Sequence, residues 1–269
     1  MDFKTLNFTH FKYFRVLLFI PLFFISACSS TSHHTASQER KVEEGDSRDP
    51  LEVINRPFWT FTWDYADKYV AKPASDIYTT YTHPEIRTGL YNMALNLNEP
   101  ASAINSLLQL KFEKAAKSTG RFVLNSTIGL FGFFDPASDF EWTGDQEEFG
   151  EVLGFYGVGD GPYLVVPALG PSSVREEVGD YVDGLYWPLA VIDFWPNIFR
   201  LSILALEGRA ALRDQEQLVV ESMDSYEFVK NAYFQNMNYR LYDGSPPIIV
   251  DEDEEEEIDA YLEELDELD

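Results

Sequence analysis

The greasiest stretches of this chain are too short to cross a membrane, and that limits its possible folds more than any other feature of the sequence. Val16 to Ile25 reads V-L-L-F-I-P-L-F-F-I, an apolar run of ten, and Arg121 to Phe134 is a nearly uncharged run of 14 rich in Phe, Leu and Ile. A helix spanning about 30 Å of hydrocarbon needs roughly 20 apolar residues. The first run therefore fits the apolar core of an export signal. The second is either a buried core helix or a segment lying within a membrane interface.

Lys4, Lys12 and Arg15 give the first run a basic lead, and Ile25-Ser26-Ala27-Cys28 closes it. An aliphatic residue, two small residues and a cysteine resemble the bacterial lipobox, in which the cysteine is acylated, with palmitate among the acyl groups, and becomes the mature first residue. Cys28 is the only cysteine of 269 residues, so an intramolecular disulfide and every Cys-based zinc site are excluded. Ser29, rather than Asp, follows it, which in lipoproteins generally implies sorting to the outer membrane. Residues 1–27 read as a lipoprotein signal peptide. Residues 28–48, rich in Ser, Thr, His and Glu, read as an acylated flexible tether. His33 and His34 lie in that tether without a further His or Cys nearby to complete a metal site.

Forty-six Asp and Glu against 20 Lys and Arg give a formal charge of −26. Nucleic acid is excluded as a partner, because that binding depends on basic residues displacing counterions. Anionic lipid head groups are repelled as well, so membrane attachment must come from apolar or covalent anchoring. Buried acyl chains contribute about 0.8 kcal/mol per CH₂ and outweigh that repulsion.

Asp49-Pro50-Leu51-Glu52 carries a capping residue, Pro at the first helical position and Glu three after the cap. Leu51, Ile54, Phe58, Phe61, Tyr65 and Tyr69 then recur at spacings of three and four along one helical face. Trp59, Trp63 and Val70 widen that face beyond one packed seam, and Pro57 is expected to kink the helix. Further helices are expected after His83-Pro84-Glu85, from Pro100 with Ile104, Leu107 and Leu108, across Lys111 to Thr119, from Trp187 to Leu212, and from Asp224 to Leu241. Between Phe149 and Gly179 seven glycines alternate with short apolar runs such as Tyr163 to Val166, a pattern of tight turns and irregular backbone. No strand pattern is sustained and no repeat of roughly 20 to 50 residues appears. The fold class is mainly α, with one domain over 49–250.

The last 19 residues, Asp251 to Asp269, hold 13 acids and no base. They read as a solvated tail, or, because Ile258, Tyr261, Leu262, Leu265 and Leu268 recur at helical spacing, as a short acidic helix that docks on a basic partner.

Catalytic chemistry has little to stand on. His83 is the only histidine of the folded part, and no G-x-S-x-G elbow is present; Gly170-Pro171-Ser172-Ser173 is not one. The run Gly154-Phe-Tyr-Gly157-Val-Gly159-Asp-Gly161 lacks the Lys-Ser/Thr ending of a phosphate loop. Asp135 and Asp139 form a carboxylate pair whose plainest reading is surface charge and capping, although two spaced carboxylates suffice for glycosidase chemistry. Arg175, Glu176 and Glu177 read as a solvated helix start. Neither a metal nor a cofactor is expected. The chain has 41 Phe, Tyr and Trp residues, and Tyr and Trp favour membrane interfaces through their polar tips and apolar bodies.

The motifs then converge. D-P-L-E-V-I-N-R from Asp49, R-T-G-L-Y-N from Arg87, N-L-N-E-P from Asn96, N-S-L-L-Q from Asn105, R-F-V-L-N-S-T-I-G-L-F-G-F-F-D from Arg121 and F-G-E-V-L-G-F-Y-G-V-G-D-G-P-Y-L-V-V-P-A-L-G-P-S-S-V-R from Phe149 resemble the MlaA (VacJ) family of outer-membrane lipoproteins, in order, from Asp49 to about Gln235. The resemblance implies a mainly helical, ring-like single domain in the periplasmic leaflet of the outer membrane around a narrow amphipathic channel. It implies removal of misplaced phospholipids from the outer leaflet, their transfer to a periplasmic lipid carrier of an ABC transport system, and association with a trimeric porin. No hydrolysis or cofactor is implied. Within that picture the Gly-rich stretch is the candidate channel lining, with Gly154, Tyr156, Gly157, Gly159, Asp160 and Gly161, because irregular backbone at membrane depth is tolerated where it lines a wet cavity. Trp59, Trp63, Phe131, Phe133 and Phe134 are the candidate membrane-facing residues. The competing classes are a membrane-surface phospholipase and a structural lipoprotein that only contacts the porin.

Overall fold

The computed structural model describes residues 46–142 and 144–247. The signal peptide, Cys28, the two tether histidines and the acidic tail lie outside the described residues, which all belong to one unit, Glu44–Asp269.

The chain enters through α1 (Glu52–Thr60), which continues without a break through a π-helical segment (Phe61–Ala71) into α2 (Lys72–Tyr81). Lys72 N–H donates to the carbonyl of Asp67, five residues back, as the wider coil requires. Pro57 sits inside α1 without ending it. The expected cap at Asp49 takes another role: the helix starts at Glu52, and the buried Asp49 carboxylate accepts from Asn55 Nδ2 at 2.8 Å and from the Tyr226 hydroxyl. The apolar face read from the spacing turns outward, with Ile54, Phe58, Phe61, Tyr65 and Tyr69 exposed. Trp59 and Trp63, expected to face the membrane, are corrected: Trp59 is buried in the core and Trp63 packs against it, with ring centroids 5.5 Å apart and planes 12° apart. The reason is that this helix meets the rest of the protein along its Trp59–Trp63 edge.

Helices α3 (Pro84–Asn96), α4 (Glu99–Leu108) and α5 (Phe112–Thr127) follow, then a 3₁₀ turn at Pro136–Phe140 and the short α6 (Phe149–Phe155). Strands β1 (Tyr163–Val166) and β2 (Gly170–Ser173) form an antiparallel hairpin that pairs Tyr163 with Ser173 and Val166 with Gly170. The sequence pattern concealed this hairpin, because four residues give too few alternations to register as a strand. Next come α7 (Val174–Asp183), α8 (Phe194–Ala211), α9 (Glu216–Glu221) and α10 (Ser225–Leu241). Asp224 caps α10, its carboxylate accepting from the N–H groups of Tyr226 and Glu227.

The aromatic core gathers Trp59, Tyr163, Val165, Tyr226 and Phe234 from α1, the hairpin and α10. Tyr163 is fully buried, with the rings of Tyr233 and Phe234 each 5.7 Å away. Asn55 ties α1 to the hairpin as a strand edge would: its Nδ2 donates to the Tyr163 carbonyl at 2.9 Å and its Oδ1 accepts from Val165 N–H at 3.0 Å. Among the described residues no helix is long and apolar enough to cross a membrane.

Candidate functional site

The pair α4–α5 is built inside out. In α4 the buried positions are Glu99, Ala101, Ser102, Ala103, Asn105 and Ser106, whereas Ile104, Leu107 and Leu108 are exposed. In α5 the buried positions are Ala115, Ser118, Arg121 and Asn125, whereas Phe112 and Val123 are exposed. The two helices meet through small and polar side chains, with Ser102 Oγ 3.1 Å from Ser118 Oγ. In water this arrangement wastes the hydrophobic effect. In a lipid environment it is favourable, because close backbone approach and interhelical hydrogen bonds drive helix association there while large side chains meet acyl chains.

Beyond Thr127 the expected apolar run stops being helical. Leu130, Phe131 and Gly132 take φ of 53°, 61° and 92°, and Gly132 N–H donates back to Asn125 O at 2.7 Å. A Cβ at Gly132 would lie 2.6 Å from Asn96 Cβ, so glycine is required both for its φ and for the space. Leu130 and Phe131 hold a conformation that costs about 1–3 kcal/mol each in side-chain-bearing residues. The strained turn leaves the Leu130 and Phe131 side chains exposed at the tip of the run. Of the three phenylalanines expected to face the membrane, Phe131 and Phe134 are exposed at 76% and 56%. Phe133 is corrected to half-buried: its ring lies over Gly89, where a Cβ would sit 2.5 Å from it.

Arg121 holds this tip from below. Its guanidinium reaches Glu99 at 3.0 Å, Asp135 at 2.9 Å and the Trp142 carbonyl at 2.6 Å. Burial pushes the Asp135 carboxyl up, but hydrogen bonds from Ser138, Arg121 and Asn125 more than offset it and hold the group below its ordinary range. Asp135 is therefore a tethered structural anion with no proton to give.

The glycine loop wraps a second buried arginine. Arg175, read from sequence as solvated, is buried; it pairs with Asp160 at 2.5 Å and donates from Nη1 to the Val158 carbonyl at 3.0 Å. Gly157 and Gly161 take φ of 84° and 69°, which turns the loop around that side chain. Tyr156 is exposed and its hydroxyl donates to the Leu108 carbonyl at 2.7 Å, tying the loop to the end of α4. Open space lies where a Cβ would project at Gly157 and Gly159. Gly154 differs from the other candidate lining residues. It lies inside α6, and a Cβ there would come within 2.8 Å of Leu241, so it serves the approach of α6 to α10.

A third arginine, Arg240 of α10, sits among carboxylates of α6, α7 and the preceding loop. It is 2.6 Å from Glu148, 2.6 Å from Glu151 and 3.8 Å from Glu176. Burial, and then the neighbouring Glu148, push Glu176 up to about 9. Partial desolvation of its carboxyl, and then the charges of Glu148, Glu177 and Asp183, push the solvent-exposed Asp180 upward as well. Glu148, Glu176 and Asp180 bring oxygens within 4.8 Å of one another, and Arg240 pairs with two of the three, Glu148 and Glu176. His83, the other candidate for chemistry, is exposed and pairs with Glu85 at the head of α3. Sequence reasoning missed all three organising arginines, because a basic residue in an acidic chain looks like surface charge until its partners are assembled.

The profile of the MlaA lipoprotein family matches residues 47–240. The chain belongs to the MlaA lipoprotein family. It is 32% identical over 228 residues to the intermembrane phospholipid transport system lipoprotein MlaA of Haemophilus influenzae, covering 82% of this chain and 89% of that one. To the protein of the same name from Escherichia coli it is 34% identical over 195 residues, covering 71% and 77%. A solved chain from work on the structural basis for maintenance of bacterial outer membrane lipid asymmetry superposes with a TM-score of 0.67 at 34% identity, covering 72% of this chain and 98% of that chain. The mainly helical fold expected from the motifs is thus the family's fold.

Proposed function

We propose that this protein removes phospholipids misplaced in the outer leaflet of the outer membrane and passes them, chemically intact, to a periplasmic lipid carrier of an ABC transport system, so maintaining lipid asymmetry. The observation that carries the reading is the inside-out α4–α5 pair, which makes sense in contact with acyl chains. Family membership supports the same reading.

In this scheme acylated Cys28 anchors the chain on the periplasmic side, residues 28–48 tether a ring-like domain over 49–250 within the inner leaflet, and a trimeric porin holds that domain in place. A charged head group crossing hydrocarbon unaided would cost several kcal/mol. A polar passage bounded by the glycine loop removes that cost, with the open space at Gly157 and Gly159 giving it room. Direction comes by mass action from a carrier that binds lipid tightly. The acidic tail, 251–269, recruits that carrier. The protein performs no bond chemistry in this scheme: Asp135 is tied by Arg121, and His83 lies in the open.

The test is mature protein in asymmetric proteoliposomes with the carrier, followed by mass spectrometry of labelled lipid. Intact phospholipid on the carrier is the expected result. Lysolipid or free fatty acid would replace this reading with a phospholipase. No product with the porin present would reduce the protein to a scaffold.

A further inference from the structure

We infer that the enclosed cavity beneath the strained turn binds a small monovalent cation of the sodium class, held by Asn96 Oδ1 and Glu99 Oε2. The cavity encloses about 30 Å³. That is room for one such ion and a water, since a water needs roughly 10–15 Å³ by the same measure. Its walls include Asn96, Glu99, Arg121, Asn125 and Gln146, gathered from α3, α4, α5 and the loop before α6. The site lies against the turn, because Asn96 packs under Gly132 and Arg121 reaches Asp135. An ion there would fix the seat of the exposed tip.

The wall spends its donors on the protein and leaves acceptors bare. Asn96 Nδ2 donates to Ser126 Oγ at 2.9 Å, Asn125 Nδ2 to Asp135 at 2.8 Å and Gln146 Nε2 to the Leu95 carbonyl at 2.9 Å. Arg121 directs Nε to Glu99 Oε1, Nη1 to the Trp142 carbonyl and Nη2 to Asp135. Asn96 Oδ1 and Glu99 Oε2 are left without a hydrogen-bond partner among the described residues, in side chains of residues only 3% and 2% exposed. Buried acceptors of this kind call for a donor or a cation.

Charge decides between them. Arg121 is the one basic residue on the wall among the described residues, and Glu99 and Asp135 share it, so one negative charge stays uncompensated. Burial pushes the Glu99 carboxyl up, as expected of an anion short of stabilisation. Water would bring donors without charge. A divalent ion would overshoot and leave a net positive charge beside Arg121. A monovalent ion that takes oxygen ligands matches both the bare acceptors and the missing charge.

The experiment melts the full mature chain in detergent, without lipid, in sodium chloride and in choline chloride at one ionic strength. Choline is too large for the cavity. Sodium at tenfold excess over its dissociation constant is expected to raise the melting temperature by about 3–5 °C relative to choline. Glu99→Gln removes the charge and is expected to abolish that difference. The variant can also melt lower in both salts, because Glu99 pairs with Arg121, but the comparison between salts is unaffected. Thallium(I) soaked into crystals is expected to give an anomalous peak at coordination distance from Asn96 Oδ1 and Glu99 Oε2. Equal melting of the wild type in the two salts, or crystals without that peak, overturns the proposal and leaves the cavity to water. A sodium shift that survives Glu99→Gln overturns it as well, since the ion then sits elsewhere. With no lipid present, either result leaves the transport reading to its own test.

Discussion

The cluster of α1, the hairpin and α10 and the pair α4–α5 are assembled on opposite rules. The first hides its aromatics, Trp59, Tyr163, Tyr226 and Phe234, as a protein in water does. The second hides Ser102, Asn105, Ser106 and Ser118 and shows Leu107, Leu108 and Val123. One chain thus carries a core suited to water and a seam suited to lipid. Buriedness by itself therefore does not identify what a surface meets; the size and polarity of what is buried do.

The contrast breaks most visibly under substitutions of opposite size. Phe234→Ala should cost about 3–5 kcal/mol in denaturant unfolding, since it leaves a cavity in a sealed aromatic core. A loss below about 1 kcal/mol would mean that the core is not sealed. In the seam the sign reverses. Ser102→Leu, a gain of apolar volume, should destabilise by about 1–3 kcal/mol because it forces α4 from α5 and strands the Ser118 hydroxyl. If this leucine stabilised the protein, the pair would be an ordinary apolar seam and the lipid argument would fall.

A smaller effect sharpens the picture at α7, beside Arg240 of α10. Glu176, half-buried and raised to about 9, binds its proton more tightly folded than unfolded. Its stabilising contribution is fully present below the unfolded carboxylate range and is lost as pH rises through the folded value. Melting temperature should therefore fall between about pH 5 and pH 9, and Glu176→Gln should flatten that slope, each kcal/mol being worth roughly 2–4 °C in a chain of this size. A melting temperature that climbs over the same window would refute the assignment. Smallest of all, Leu107→Ser on the outer face of α4 should leave stability in detergent within about 0.5 kcal/mol. Its effect should appear as weaker vesicle binding by flotation, and an equal loss in both assays would show that Leu107 packs against protein.

Much of the helical skeleton was legible from local signals. Pro84 and Asp224 mark the heads of their helices because proline at a first turn and a capping carboxylate act within a few residues. The hairpin was hidden by its shortness. The roles of Arg121, Arg175 and Arg240 were hidden by distance, since Arg121 finds Glu99 and Arg240 finds Glu148 and Glu151 only after the chain has folded. At the candidate site, the apolar run that holds Phe131 and Phe134 was readable from the sequence, but which of its side chains are exposed was not, and neither was the inward turn of Trp59 and Trp63.

By itself the sequence determined that no described stretch spans a bilayer, that the domain is mainly helical, and which motifs place it in its family; periodicity, length and residue order carry that information along the chain. Only the tertiary structure decided which way each apolar face points. A spacing of three and four defines a stripe without giving it a sign. Water drives the stripe inward, acyl chains leave it free to face out, and the choice belongs to what packs against the helix: Trp59 turns toward Tyr163 and Phe234, while Phe58 and Tyr65 turn away.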